Sequence, residues 1–201
     1  MKTRLYASLA AACLFAAPAL AADKAKPAPK PDLAGTWKSA CESVPNGQGG
    51  TMNFTRTFKN TAKTWSIDFV VYEDTACTKK FFTAEIAGPY ALGKPSAKVP
   101  GATEGEFLIA SRKLTPASPD AAQMLSNACG GLDWEAGKAK DILKDGCKNL
   151  GMHPAATCKG ENDLVKVDGK DLFFGQRPAD GDLCTPAKRP TALGKTPVTK
   201  V

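Results

Sequence analysis

The chain has 201 residues, a formal net charge of +7, a mean hydropathy of −0.24 and one histidine, His153. That length fills one respectable core and hardly two, so a single domain is expected. The basic excess is spread thinly, without a run of five or six Lys or Arg interleaved with aromatics, which argues against a nucleic-acid surface; a lone histidine starves most triad and zinc chemistries of base or ligand.

Residues 1–21 read as a secretory leader: Lys2 and Arg4 form the positive end, Leu5 to Ala17 the apolar stretch, and Ala19-Leu20-Ala21 a small-x-small cleavage site. The apolar run is too short for a membrane span. Cys13 lies inside it, followed by Leu14 and Phe15, so a soluble exported product is expected rather than a lipidated one. Cleavage removes two bases and no acid, taking the net charge to +5. Six cysteines remain, Cys41, Cys77, Cys129, Cys147, Cys158 and Cys184, an even number in a compartment that oxidises thiols, so three disulfides are expected. Residues 22–31 alternate proline with lysine and alanine, an extended solvated spacer. The folded domain is expected over 32–190, with a flexible basic tail over 191–201.

Period-two patterns dominate the domain, which is the signature of strands. In the first run Met52, Phe54, Arg56 and Phe58 share a face; in the next, Trp65, Ile67, Phe69 and Val71 do. Phe82, Ala84 and Ile86 continue the series, followed by Phe107 and Ile109 or their alternates Leu108 and Ala110. Asp168-Gly169 separates Leu164 to Val167 from Leu172 to Phe174 and predicts a tight hairpin. One helix interrupts the strands: Ser118 caps, Pro119 suits the first position, and Ala121, Met124, Leu125 and Ala128 keep helical spacing until Gly130-Gly131. The fold class predicted is mainly β, a curved antiparallel sheet or half-barrel with one short helix, stapled by disulfides.

Several clusters recur in a telling order. They are Gly35 to Glu42 (GTWKSACE), Thr55-Arg56 with Phe58, Trp65, Tyr72-Glu73-Asp74 with Cys77, and Gly88-Pro89-Tyr90. After these come Cys129-Gly130, Trp134, Gly146-Cys147 with Leu150-Gly151, Gly175 to Pro178 with Asp180, and Arg189-Pro190. From Asp32 to Pro190 this ordered set resembles the adenomatosis polyposis coli down-regulated 1 domain family of exported and cell-surface proteins. The resemblance implies a curved antiparallel sheet, akin to lipocalins and bacterial lipoprotein carriers, with an apolar concavity for a lipid chain. Animal members of the family carry two such domains and a membrane anchor and antagonise Wnt signalling through its acyl group. One domain and no anchor are read here, so signalling is not carried over; acyl binding is.

If Met52, Phe54, Phe58, Trp65, Ile67, Phe69, Phe82, Ile86 and Phe107 face one hollow, an alkyl guest would gain about 0.8 kcal/mol per buried methylene. The same residues could instead fill the core against the helix, as inward faces of small barrels do. Arg56 stands between Phe54 and Phe58 and needs a partner if buried. Glu42 is nominated; the alternative is a ligand carboxylate or phosphate. Trp37 is expected to plug one end of the sheet, and Arg177 to clamp a turn through Asp180 or backbone. The adjacent acids Glu73 and Asp74 would point to opposite faces of a strand, not form a catalytic pair. Fifteen disulfide connectivities are possible; the favoured one joins Cys41 to Cys77, Cys129 to Cys147 and Cys158 to Cys184. No Cys-x-x-Cys is present, so no metal or cofactor is expected, and no nucleophile and base stand together, so no enzyme is. The function expected is an exported, periplasmic or secreted module binding a lipid or acylated ligand. The alternative is a structural or inhibitory domain with a filled core that meets an envelope protein.

Overall fold

The longest period-two runs become the longest strands in the computed structural model, which describes residues 29–45, 49–131, 133–178 and 180–201. The expected leader and most of the spacer lie outside the described residues. In the first half of the chain come β1 (Gly35–Lys38), β2 (Glu42–Pro45), β3 (Thr51–Asn60), β4 (Thr64–Tyr72) and β5 (Lys80–Pro95). β6 (Thr103–Leu108), β7 (Ser111–Pro116), the helix α1 (Pro119–Ala128), β8 (Lys140–Asp141), β9 (Gly160–Asp168), β10 (Asp171–Phe174) and β11 (Val198–Lys200) follow.

The curved antiparallel sheet closes on itself. Eight strands run β1-β3-β4-β5-β6-β9-β10-β11 and return to β1, every pair antiparallel. Closure leaves the ring without a free edge. β3, β4 and β5 extend beyond the ring, and their excess makes a wing: β2 pairs with residues 51–54 of β3, β7 with residues 82–87 of β5, and β8 with β7. Helix α1 packs against β7, burying Ala121, Ala122 and Leu125. Ser118 caps it, its hydroxyl accepting from the Ala121 N–H.

Barrel and wing part company at one place. β6 and β7 are successive halves of a single path along β5, broken at Ile109 and Ala110; β6 stays with β9 while β7 turns to β8. Two glycines permit the close approach at the break. A Cβ on Gly88 would sit 2.0 Å from the Leu108 carbonyl oxygen, and one on Gly160 would sit 2.6 Å from that of Phe107. The split produces two apolar clusters. Leu33, Trp37, Phe58, Trp65, Phe107, Ile109, Val165, Leu172 and Val198 fill the barrel. Phe54, Val71, Phe82, Ala84, Leu114, Leu125, Ile142 and Cys147 fill the wing.

The three disulfides are Cys41–Cys77, Cys129–Cys147 and Cys158–Cys184. They close loops with sequence separations of 36, 18 and 26 residues, each worth a few kcal/mol on the chain-entropy account. Such a set fits an oxidising, exported environment. No helix among the described residues is long and apolar enough to cross a membrane.

Two expectations are corrected. The stretch 191–201 is not a loose tail: Leu193 bridges Gly175, and β11 inserts between β1 and β10 with Val198 fully buried. A three-residue strand is too short to show alternation, and what holds it is hydrogen bonding on both sides. The hairpin loop falls one residue later than predicted, at Gly169-Lys170, because Asp168 still pairs with Asp171; Gly169 takes the positive φ, 60°.

Candidate functional site

Two rows of inward side chains cross the sheet where barrel meets wing. Strand register aligns Phe58, Ile67, Ile86 and Arg112 in one row, and Arg56, Phe69, Ala84 and Leu114 in the next. Cross-strand partners share a face, so both rows point inward. An arginine therefore ends each row, one on β3 and one on β7. Between them Ile67, Phe69 and Ile86 are only partly buried, as are Phe174 and Leu143 packed against the barrel cluster. These apolar side chains keep accessible surface while packing against the cores of barrel and wing.

The ten residues expected to line a ligand site share this face and differ in burial. Phe54, Phe58, Trp65, Phe82 and Phe107 are buried walls; Met52, Arg56, Ile67, Phe69 and Ile86 retain surface. The walls are braced by their rings: Phe54 stacks on Phe69 at 4.8 Å, Phe58 on Phe174 at 4.5 Å, and Trp65 meets Phe107 edge-on at 5.5 Å. Trp65 Nε1 donates to the Leu108 carbonyl at 2.9 Å, holding the wall to the split. Trp37 is buried in the barrel core, its Nε1 donating to the Leu33 carbonyl. Two open depressions elsewhere, about 390 Å³ beside Tyr90 and Leu92 and about 490 Å³ beside Trp134 and α1, are lined by none of the ten. Neither is enclosed enough to hold an alkyl chain by area.

The two arginines are treated differently. Arg56 has the partner nominated from sequence: Nε meets Glu42 Oε1 at 2.8 Å, and Nη2 donates to the Thr196 carbonyl at 3.1 Å. Thr196 Oγ1 in turn donates to Glu42 Oε2. Arg112, which no sequence pattern marked, is 4% exposed; Nη1 donates to the His153 carbonyl at 2.7 Å, and Nε has no partner among the described residues. Burial is the main cause of its lowered pKa, with Glu161 acting against it.

Glu161, Asp163 and Arg177 form the polar end of this region. β9 alternates Glu161, Asp163, Val165 and Val167 on the face that Phe107 and Thr103 share across β6. Arg177 grips Glu161 through Nη1 at 3.0 Å and Nη2 at 2.6 Å, and Nη1 also donates to the Gly181 carbonyl. Of the two clamps expected for Arg177, the backbone one is present, to the Gly181 carbonyl, whereas Asp180 pairs with Lys188 at 2.8 Å, because the strand carboxylate of Glu161 offers both oxygens to the guanidinium fork. Half the side-chain surface of Arg177 is accessible.

Asp163 is buried, its Oδ1 accepting from the N–H groups of Leu164 and Gly175. Burial pushes its pKa up to about 7, against the opposing pull of Arg177 and of the two N–H donors. A carboxyl that holds its proton longer when folded stabilises the fold below the unfolded pKa, near 4, and loses that contribution as pH rises to about 7. Asp163→Asn is therefore expected to gain on the wild type as pH rises, by a few kcal/mol at about pH 8. Urea melts of both proteins at about pH 4, 6 and 8 check this; a difference that stays constant with pH would refute it.

Among the described residues, His153, Asp182 and Cys184 bring donor atoms within 4.8 Å of one another. The Cys184 sulfur is spent in the bond to Cys158 and offers no thiolate, so the group lacks the donor set of a metal site.

Comparison with known families matches residues 19–167, from before β1 to the last residue but one of β9, to the family model described as adenomatosis polyposis coli down-regulated 1.

Proposed function

The chain belongs to the adenomatosis polyposis coli down-regulated 1 family, and from that premise we propose an exported, non-catalytic binding module that holds an acyl chain at the waist between barrel and wing. What supports this reading is the belt of Ile67, Phe69, Ile86 and Phe174 on the inner face of the sheet, with Leu143 packed against the barrel cluster, all of which keep accessible surface. An alkyl chain laid along the belt would exclude water from each of them, at about 0.8 kcal/mol per methylene. The buried rings behind the belt give rigid walls, so little side-chain freedom would be lost on binding. Its place of action is the periplasm or the extracellular space, where three disulfides persist.

Protein made in an export compartment is expected to carry a fatty-acid-sized adduct in native mass spectra. Ile67→Trp, which fills the waist, should abolish the adduct with little change in melting temperature. A clean apo mass together with no saturable change in tryptophan fluorescence on adding laurate would sink the proposal. Envelope-protein capture that persists in Ile67→Trp would point instead to an interaction domain with a filled core.

A further inference from the structure

We propose that the waist carries a seat for an anionic headgroup, built from Arg112 and Arg177 at the split between β6 and β7, so that the guest is a single-chain amphiphile ending in a carboxylate or phosphate. The inference rests on the acyl-chain reading above and specifies its ligand class.

Arg112 carries the case. A buried guanidinium ordinarily meets a carboxylate, because an unpaired charge out of water is costly. At the other end of the waist the fold does this, giving Arg56 the Glu42 carboxylate and the Thr196 carbonyl. Arg112 is 4% exposed and has one backbone acceptor, with its Nε–H unused. The acid whose field reaches it is Glu161, and both Glu161 oxygens are taken by Arg177. Two guanidiniums thus share one carboxylate. The next acid, Asp163, spends Oδ1 on two backbone N–H groups and is held largely protonated below neutrality by burial. A surplus of positive charge is left there, with Arg112 held out of water and Arg177 half open to it.

Position completes the picture. Arg112 stands directly across from Ile86, at the end of the row that runs from Phe58 through Ile67. Glu161 stands across from Phe107, whose ring lies 6.0 Å from that of Phe174. An alkyl chain along Ile67, Ile86 and Phe174 therefore ends among Arg112, Arg177 and Glu161. The accessible half of Arg177 lets a head reach it, and the planar fork suits either carboxylate or phosphate oxygens.

The test compares laurate, dodecyl phosphate and dodecanol by calorimetric titration of the oxidised full-length mature protein, each below its aggregation threshold. Wild type should bind at least one of the two anions roughly ten-fold or more tighter than the alcohol, as expected for charged hydrogen bonds, and the tighter anion identifies the head. Arg112→Met should bring the anions down to the alcohol's affinity, leave the alcohol unchanged and melt no lower than wild type. Equal affinity of all three for wild type would overturn the seat and leave the apolar hollow standing. No binding of any of them would overturn both. An Arg112→Met protein that melts lower while keeping the wild-type preference would assign Arg112 to the scaffold alone. The wild-type comparison decides the matter even if that variant does not fold.

Discussion

Truncation after Pro190 is expected to cost the protein its cooperative fold, or at least about 10 °C of melting temperature. The removed stretch holds β11, the strand that closes the barrel between β1 and β10. Its loss uncovers the fully buried Val198 site and its neighbour Leu172, which is also fully buried. It also leaves two strand edges with unpaired N–H and C=O groups. The contacts of Lys200 over the Trp37 ring at 5.1 Å and of Thr199 with Asp171 at 2.8 Å go with it. Circular dichroism melts of the truncated and full chains check this, and a truncated protein that melts with the parent would show that closure adds nothing. Aggregation of the truncated chain is the expected secondary symptom, since the new edges are templates for pairing.

Arg56→Leu is the single substitution with the largest expected effect, a loss of roughly 3–5 kcal/mol, because it strands Glu42 in a largely buried position. The double variant Arg56→Leu/Glu42→Leu is expected to recover most of that loss, since neither charge then has to leave water. Urea denaturation of the two singles and the double gives the coupling directly. A loss below about 1 kcal/mol in Arg56→Leu would put the pair among ordinary surface bridges and end its role as an anchor of the waist. Thr196 contacts both partners, so this pair also ties the β11 segment to β2 and β3, and part of the coupling should vanish in the truncated chain.

How far the site could be read from sequence is decided residue by residue. Arg56 was legible because it interrupts an alternating run between Phe54 and Phe58, so its inward direction and its need for a partner follow from the pleat alone. Arg112 has the same parity with Leu114 and Pro116, but that run is short and the proline blurs it as a strand. Glu161 and Asp163 continue the inward parity of Val165 and Val167, a clue masked by their charge, which reads as a solvated strand end. The partner of Arg177 lies 16 residues upstream on a strand, not three residues ahead in the turn, and no local rule finds it.

Strand alternation, the Ser118-Pro119 start of α1 and an even set of six cysteines beyond residue 21 can be read directly from the amino-acid order, which by itself settled a mainly β, disulfide-stapled chain with one helix. The tertiary structure alone decided that the sheet closes, that it divides at Ile109 and Ala110, and that one inward arginine is paired while the other is not. The physical reason is distance along the chain. A pleat has a period of two residues, whereas closure joins β1 to β11 across the whole molecule, where backbone pairing and burial override the composition of a proline- and lysine-rich stretch.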